Sequence, residues 1–345
     1  MSLSRRHLLG HSLNVGKAGF LSVLRGSAER NETKGYGTAS CRKELERMRR
    51  SASTMILLCL ASLLGSPSFA VDERPAVTAI LGAFGEEVEI IEAQLAEPQY
   101  HTLLGMDFVT GTLERRPIVL AQTGIGKVNA AMTTALLIHE FGPSAVIFTG
   151  IAGGLDPELS PGDIVVGEKV AHHDLVIYNE NGCDTYRVRN PLTGRHNPIF
   201  LPADTALLDL ARKAQEGLEL EKIVTNDGPR VPRIVTGTIV SGDAYIASAA
   251  KRVELRRRLG ADVVEMEGAA VAQVCYQQEI PFLVVRSVSN RADSDVHMDT
   301  AQFNEAAAHN AARYVMRMVK LLGAGPSAPD EAHREKTQSQ ADAAR

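Results

Sequence analysis

Ala261-Asp-Val-Val-Glu265-Met266-Glu267-Gly-Ala-Ala-Val271 opens the stretch on which the fold turns, and Phe282-Leu-Val-Val-Arg-Ser-Val288 closes it. Val263–Glu265 is a short apolar run suited to a buried strand. Gly268–Gln278 is Ala-rich and of helical length, and Phe282–Val288 is again continuous and apolar. A fully buried strand shows such an unbroken run, whereas a half-solvated one alternates apolar with polar residues.

The same alternation runs outward in both directions. Upstream, strands are predicted over Val77–Phe84, Pro117–Gln122, Ala145–Thr149, Ile164–Glu168 and Ile234–Ser241, with helices over Glu86–Leu95, Lys127–Phe141 and Ser248–Leu259. Downstream, Phe303–Leu322 is a long terminal helix. Short apolar strands alternating with helices predict an α/β fold, a single three-layer αβα domain over 71–323 with a mostly parallel central mixed sheet. Asn179–Pro202 is polar and turn-rich and is expected to be a long excursion near a site. Residues 324–345, rich in Pro, Ala, Ser and charge, are expected to be a disordered tail.

The chain has 345 residues, 44% of them hydrophobic, and a formal net charge of −4. That charge is unevenly spread: residues 1–70 carry 11 basic and 4 acidic side chains, while 71–345 carry 26 and 37. So acidic a body argues against nucleic-acid binding, which depends on neutralising phosphates. Met48-Arg-Arg, the apolar run Met55–Leu64 and the small residues Ser68 and Ala70 predict a secretory signal peptide over 48–70, cleaved before Val71. Such a peptide implies export to the periplasm. Residues 1–47 fit either a disordered leader or an over-extended start, with Met48 as the functional one. Ser4-Arg5-Arg6-His7-Leu8-Leu9 has the look of a twin-arginine signal, but the stretch after it, with Asn14 and Lys17 in it, is only weakly apolar. Cys41 and Cys59 leave with the leader. Cys183 and Cys275 stand alone, without the spacing of a metal site.

In such sheets ligands sit where strands end in loops, and the informative segments lie there. Ile80-Leu-Gly-Ala-Phe84-Gly-Glu86-Glu87 is a strand, a Gly turn and two carboxylates. Either carboxylate could be a general base, and either could simply answer a helix dipole. Thr123-Gly-Ile-Gly-Lys-Val128 and Phe148-Thr-Gly-Ile-Ala-Gly-Gly-Leu155 are read as Gly turns, which let a ligand approach the backbone. Neither has the full set of donors of a phosphate cradle. Glu265 and Glu267 enter an apolar run, where a charge is costly unless paired or functional. Val284–Asp293 ends a buried strand in Ser, Asn, Arg and Asp, a pattern that a polar turn also explains.

Taken in this order, with Ser241-Gly-Asp-Ala-Tyr-Ile246, the segments resemble the nucleoside phosphorylase/nucleosidase superfamily, and within it the 5′-methylthioadenosine/S-adenosylhomocysteine nucleosidases. The resemblance runs from about Val77 to Leu322 and implies a nucleoside phosphorylase-like fold and hydrolysis of a purine nucleoside. It implies that Glu87 activates the attacking water, Glu267 holds the ribose hydroxyls and Met266 lies against the sugar. Tyr245 and Ile246 would take the base, and Phe84 would form an apolar wall where the family usually has Met. Ile125, Ile151, Glu265 and Ser289 complete the expected substrate-binding set. Ile151 stands where Ser is common. Asn290 falls on a catalytic position where the nucleosidases usually carry Asp to protonate N7. Asn donates a hydrogen bond but no proton, and loss of a general acid lowers rates by about 10²–10⁴-fold. Asp293, matching a second family Asp, is expected to be structural. The glycine segments hold no Arg for phosphate, which favours hydrolysis over phosphorolysis. The resemblance implies no metal or organic cofactor and a homodimer; the acidic body implies no nucleic-acid partner, and signal cleavage implies no membrane association afterwards. Two other readings remain open: hydrolysis of a 6-oxopurine nucleoside, inosine-like or futalosine-like, and a periplasmic nucleoside-binding protein of low turnover.

Overall fold

Burial on both faces is what the apolar strands require, and the sheet supplies it. The structure is a computed structural model describing residues 76–180, 182–225, 228–290 and 301–323. Residues 1–47, the signal peptide expected over 48–70, Asp293 and 324–345 lie outside the described residues, as does the side chain of Asn290. The strands are β1 (Thr78–Gly82), β2 (Ala96–Leu103), β3 (Met106–Leu113), β4 (Arg116–Gln122), β5 (Ala145–Phe148), β6 (Ile151–Gly154), β7 (Ile164–His172) and β8 (Val176–Asn179). They continue as β9 (Gly182–Thr185), β10 (Leu201–Pro202), β11 (Ile223–Thr225), β12 (Gly228–Arg230), β13 (Ile234–Ser241), β14 (Val263–Glu265) and β15 (Phe282–Asn290). The helices are α1 (Gly85–Glu92), α2 (Lys127–Phe141), α3 (Thr205–Gln215), α4 (Ala249–Leu259), α5 (Gly268–Gln277) and α6 (Ala301–Gly323).

Eleven strands form the main sheet, in the order β10-β7-β13-β14-β6-β15-β5-β1-β4-β3-β2. β4, β1, β5 and β15 run parallel, and the β2–β3 hairpin extends that edge antiparallel. Successive side chains of a strand point to opposite faces. In β1, Ala79 and Leu81 accordingly enter one core and Ile80 the other. The first core holds residues of α2 and α5, and the second holds residues of α1, α3 and α6. That is the predicted three-layer arrangement.

β15 binds the architecture together. Its first part pairs with β5 and its end with β6, while Val284–Ser287 also pairs antiparallel with β7. Strands β7, β13, β14, β6 and β15 therefore close into a ring.

Three readings change. Ile151-Ala-Gly-Gly154, expected as a turn, is strand β6, parallel to β15 and antiparallel to β14. Asn179–Pro202 is less irregular than expected: β8 and β9 form a hairpin, Arg189 bridges to His196, and β10 pairs with β7 at the sheet edge. Helix α3, capped by Asp204 through the Leu207 amide at 2.9 Å, and the β2–β3 and β11–β12 hairpins were not apparent from the sequence. Cys183 and Cys275 are free thiols.

Candidate functional site

The strand ends converge as the topology demands. A cavity of about 300 Å³ is lined by Phe84, Ile125, Ile151, Tyr245, Ile246, Glu265, Met266, Glu267 and Ser289, with Ala152, Gly153, Ala244 and Val264 between them. These residues come from separate stretches of the chain. The turn after β1 gives Phe84, the approach to α2 gives Ile125, β6 gives Ile151, and the loop after β13 gives Tyr245 and Ile246. Among the described lining residues none is Lys or Arg.

Glu87 lies behind Phe84 and Ile151. It is the third residue of α1, so its side chain turns back onto the helix start. One oxygen accepts the Phe84 amide at 3.1 Å and the Ala83 amide, and the other accepts Ile151 N–H at 3.0 Å. Gly150 makes this approach possible: a Cβ there would stand 2.5 Å from Glu87 Oε1 and 3.0 Å from Arg286 Nη1. Burial pushes the Glu87 pKa up, opposed by the Arg286 charge and the three amides. A carboxylate held in one orientation and made more basic by burial is suited to take a proton from water.

Glu267 stands at the N-terminus of α5 and accepts the Gly126 amide at 2.7 Å through Oε1. Burial first, and the neighbouring Glu265 charge second, raise its pKa to about 7. Its side chain lines the cavity, where a carboxylate oxygen can accept from a ligand hydroxyl.

Glu265 also lines the cavity, but its oxygens are already engaged. They accept the Glu267 and Gly268 amides, the Ser241 hydroxyl and the buried Arg286 guanidinium, at 2.7 Å from Arg286 Nη2. Ser241 in turn accepts the Ala269 amide at 2.6 Å. These bonds anchor the turn that presents Met266 and Glu267.

Arg286 escaped the sequence reading. It is buried on β15, donates to the Phe148 carbonyl at 3.4 Å and stacks 4.0 Å from the Phe148 ring. It forms an ion pair with Glu265, and its charge also acts on Glu87 and Glu267. Its signal in the sequence was a lone charge in Phe282–Val288, which must be paired or functional. Asn290 ends β15, with its backbone opposite Gly153. Among the described residues no group of three or more His, Cys, Asp or Glu is placed to hold a metal ion.

Known proteins resemble the chain over most of its described length. The family model for the phosphorylase superfamily matches residues 77–320. The 5′-methylthioadenosine/S-adenosylhomocysteine nucleosidase of Mycobacterium tuberculosis (strain CDC 1551 / Oshkosh) is 36% identical over 248 residues, 71% of this chain and 97% of that protein. The nucleosidase of the same name from Lysinibacillus sphaericus is 37% identical over 246 residues, 71% of this chain and 99% of its own. Among solved structures, the Neisseria meningitidis 5′-methylthioadenosine/S-adenosylhomocysteine nucleosidase in complex with methylthio-immucillin-A has a TM-score of 0.61 at 34% identity, covering 71% of this chain and 98% of that one. The native futalosine hydrolase of Helicobacter pylori has a TM-score of 0.60 at 29% identity, covering 71% and 97%.

Proposed function

The chain belongs to the phosphorylase superfamily, and from that premise we propose that it releases the free base from 5′-methylthioadenosine, S-adenosylhomocysteine or a similar adenosine-type nucleoside. It is an N-glycosyl hydrolase of the purine nucleosidase type. One observation carries the reading: Glu267 lines a cavity whose described lining holds no cation for phosphate, and Glu87 is fixed by three backbone amides directly behind the lining residues Phe84 and Ile151.

The chemistry rests on that placement. The C1′–N9 bond breaks with its electron pair leaving on the purine, so the sugar gains positive character. Glu267 accepts ribose hydroxyls and, with Glu87, places negative charge near the sugar, where it is most stabilising in a water-poor site. The oxygen of water bonds to C1′ as Glu87 accepts its proton. Met266 and Phe84 pack on the sugar, while Tyr245 and Ile246 take the base. Asn290 supplies a hydrogen bond to N7 and no proton, so the proton that neutralises the purine comes from solvent.

Asn290 also favours a second reading, hydrolysis of a 6-oxopurine nucleoside, because an amide donor suits an N7 and O6 pair. Base release measured by chromatography separates the readings. The chain is offered methylthioadenosine, adenosylhomocysteine, adenosine and inosine without phosphate. Free adenine is the expected product, and Asn290→Asp is expected to raise its release by about 10²-fold. Hypoxanthine alone would move the assignment to the second reading. Glu87→Gln is expected to lower kcat by about 10²–10⁴-fold, and an unchanged rate would remove the mechanism. No base release at all would leave a nucleoside-binding protein.

Export to the periplasm, directed by 48–70, belongs to the same proposal, and cell fractionation tests it. So does a homodimer. Val128 and Met132 on the first turns of α2 and Ile125 just before it are 76%, 51% and 51% exposed. An apolar stripe beside the cavity mouth supports burial against a second copy.

A further inference from the structure

We propose that Lys127 is a positioning residue for this reaction: through Asp174 and Asp243 it fixes the loop carrying Tyr245 and Ile246 against the start of α2, and so sets the shape of the base-binding wall. The proposal rests on the nucleosidase reading above.

The contacts form a closed circuit. Lys127 Nζ donates to Asp174 Oδ1 at 2.6 Å and lies 3.8 Å from Asp243 Oδ2. The backbone amide of Lys127 donates to Asp243 Oδ1 at 2.8 Å, and the amide of Asp243 donates to Asp174 Oδ2 at 2.9 Å. One residue earlier, the Gly126 amide holds Glu267. The start of α2 therefore grips the ribose-side carboxylate with one amide and the base-side loop with the next. Asp174 follows β7 and Asp243 follows β13, so three segments far apart in the chain meet at one ammonium.

Lys127 does not line the cavity, and two carboxylates engage its charge. A direct contact with substrate is therefore not its role. Nor is this an ordinary surface pair: Lys127 and Asp174 side chains are only 19% and 28% exposed. Burial acts to raise the Asp174 pKa, but the Lys127 and Asp243 hydrogen bonds outweigh it and hold the carboxyl below its usual range. Asp174 therefore stays ionised at neutral pH. A neutral side chain at 127 removes the ammonium that joins Asp174 to Asp243, leaving Asp243 held by two backbone hydrogen bonds; its neighbours Ala244, Tyr245 and Ile246 line the cavity.

The test is steady-state kinetics on methylthioadenosine with wild type, Lys127→Met, Lys127→Arg, Asp174→Asn and the double variant Lys127→Met/Asp174→Asn. Lys127→Met is expected to raise KM about tenfold while kcat stays within about threefold. Lys127→Arg should recover most of the loss. The double variant should be no worse than Lys127→Met alone, because both remove one circuit. Unchanged KM in Lys127→Met overturns the proposal. Equal losses of kcat and melting temperature, with no rescue by Arg, also overturn it, since they indicate general destabilisation. If wild type releases no base, the nucleosidase reading fails by itself. The circuit is then tested by calorimetric titration of adenine into the same variants, where an unchanged Kd in Lys127→Met overturns it.

Discussion

Arg286 occupies a position where the strand pattern asks for Val or Ile, and the site is arranged around it. Its partner Glu265 lies on β14, and β6 separates the two strands in the sheet. No spacing in the sequence reveals that pairing, although both charges are conspicuous there. Glu265 and Glu267 were legible as charges entering an apolar run, whereas Glu87, beside Glu86 in a helix start that also holds Glu89 and Glu92, was singled out by the resemblance alone. What could not be read was how each oxygen is used, and Glu265 turns out to be internally committed. Glu267 is different, and its titration has a consequence. Its folded pKa of about 7 lies above the ordinary 4.5, so the folded protein keeps a proton that the unfolded chain releases. Stability linked to this group is therefore complete below about pH 4.5 and is lost as the pH rises towards about 7. Urea denaturation at pH 5 and pH 7.5 checks this: Glu267→Gln should gain stability relative to wild type at the higher pH. Ribose binding should show the opposite trend in wild type, with KM falling as Glu267 ionises.

Elements with a continuous apolar run, such as Ile234–Ser241 and Val263–Glu265, or with an Ala-rich helix, such as Lys127–Phe141, are observed with the bounds the sequence suggests. Those that escaped lack such runs. β2 reads Ala-Glu-Pro-Gln-Tyr-His-Thr-Leu and is largely exposed, so its pairing with β3 rests on backbone hydrogen bonds more than on an apolar face. β6 was hidden by its glycines, which suggested a turn. They instead keep a strand slim beside the cavity. Gly150, just before it, is tightly constrained. Gly150→Ala places a methyl group within reach of Glu87 Oε1 and Arg286 Nη1, and both must move. The expected result is a loss of about 1–3 kcal/mol in urea denaturation. Turnover should fall more than tenfold, because a small displacement of Glu87 removes a near-attack arrangement that can be worth about 10²-fold.

At the scale of the whole molecule, the layered fold was legible because two apolar faces need two helical layers. The ring formed by β15 was not, because one strand pairing with three others leaves no mark on its own sequence. Association belongs to this scale too. Val128→Glu puts a charge into the exposed apolar stripe at the start of α2, and light scattering is expected to show a dimer for wild type and a monomer for the variant. If the second copy completes the cavity mouth, KM rises with the same change. The closed ring has one more consequence. Ile151, Ser241, Glu265 and Arg286 all stand on its strands, and a ring offers no free edge from which to fray. Its amide protons should therefore exchange with deuterium only when the entire domain unfolds, whereas those of the β2–β3 hairpin exchange through local opening. Isotope labelling would then show the reaction centre as the last part of the protein to take up solvent deuterium.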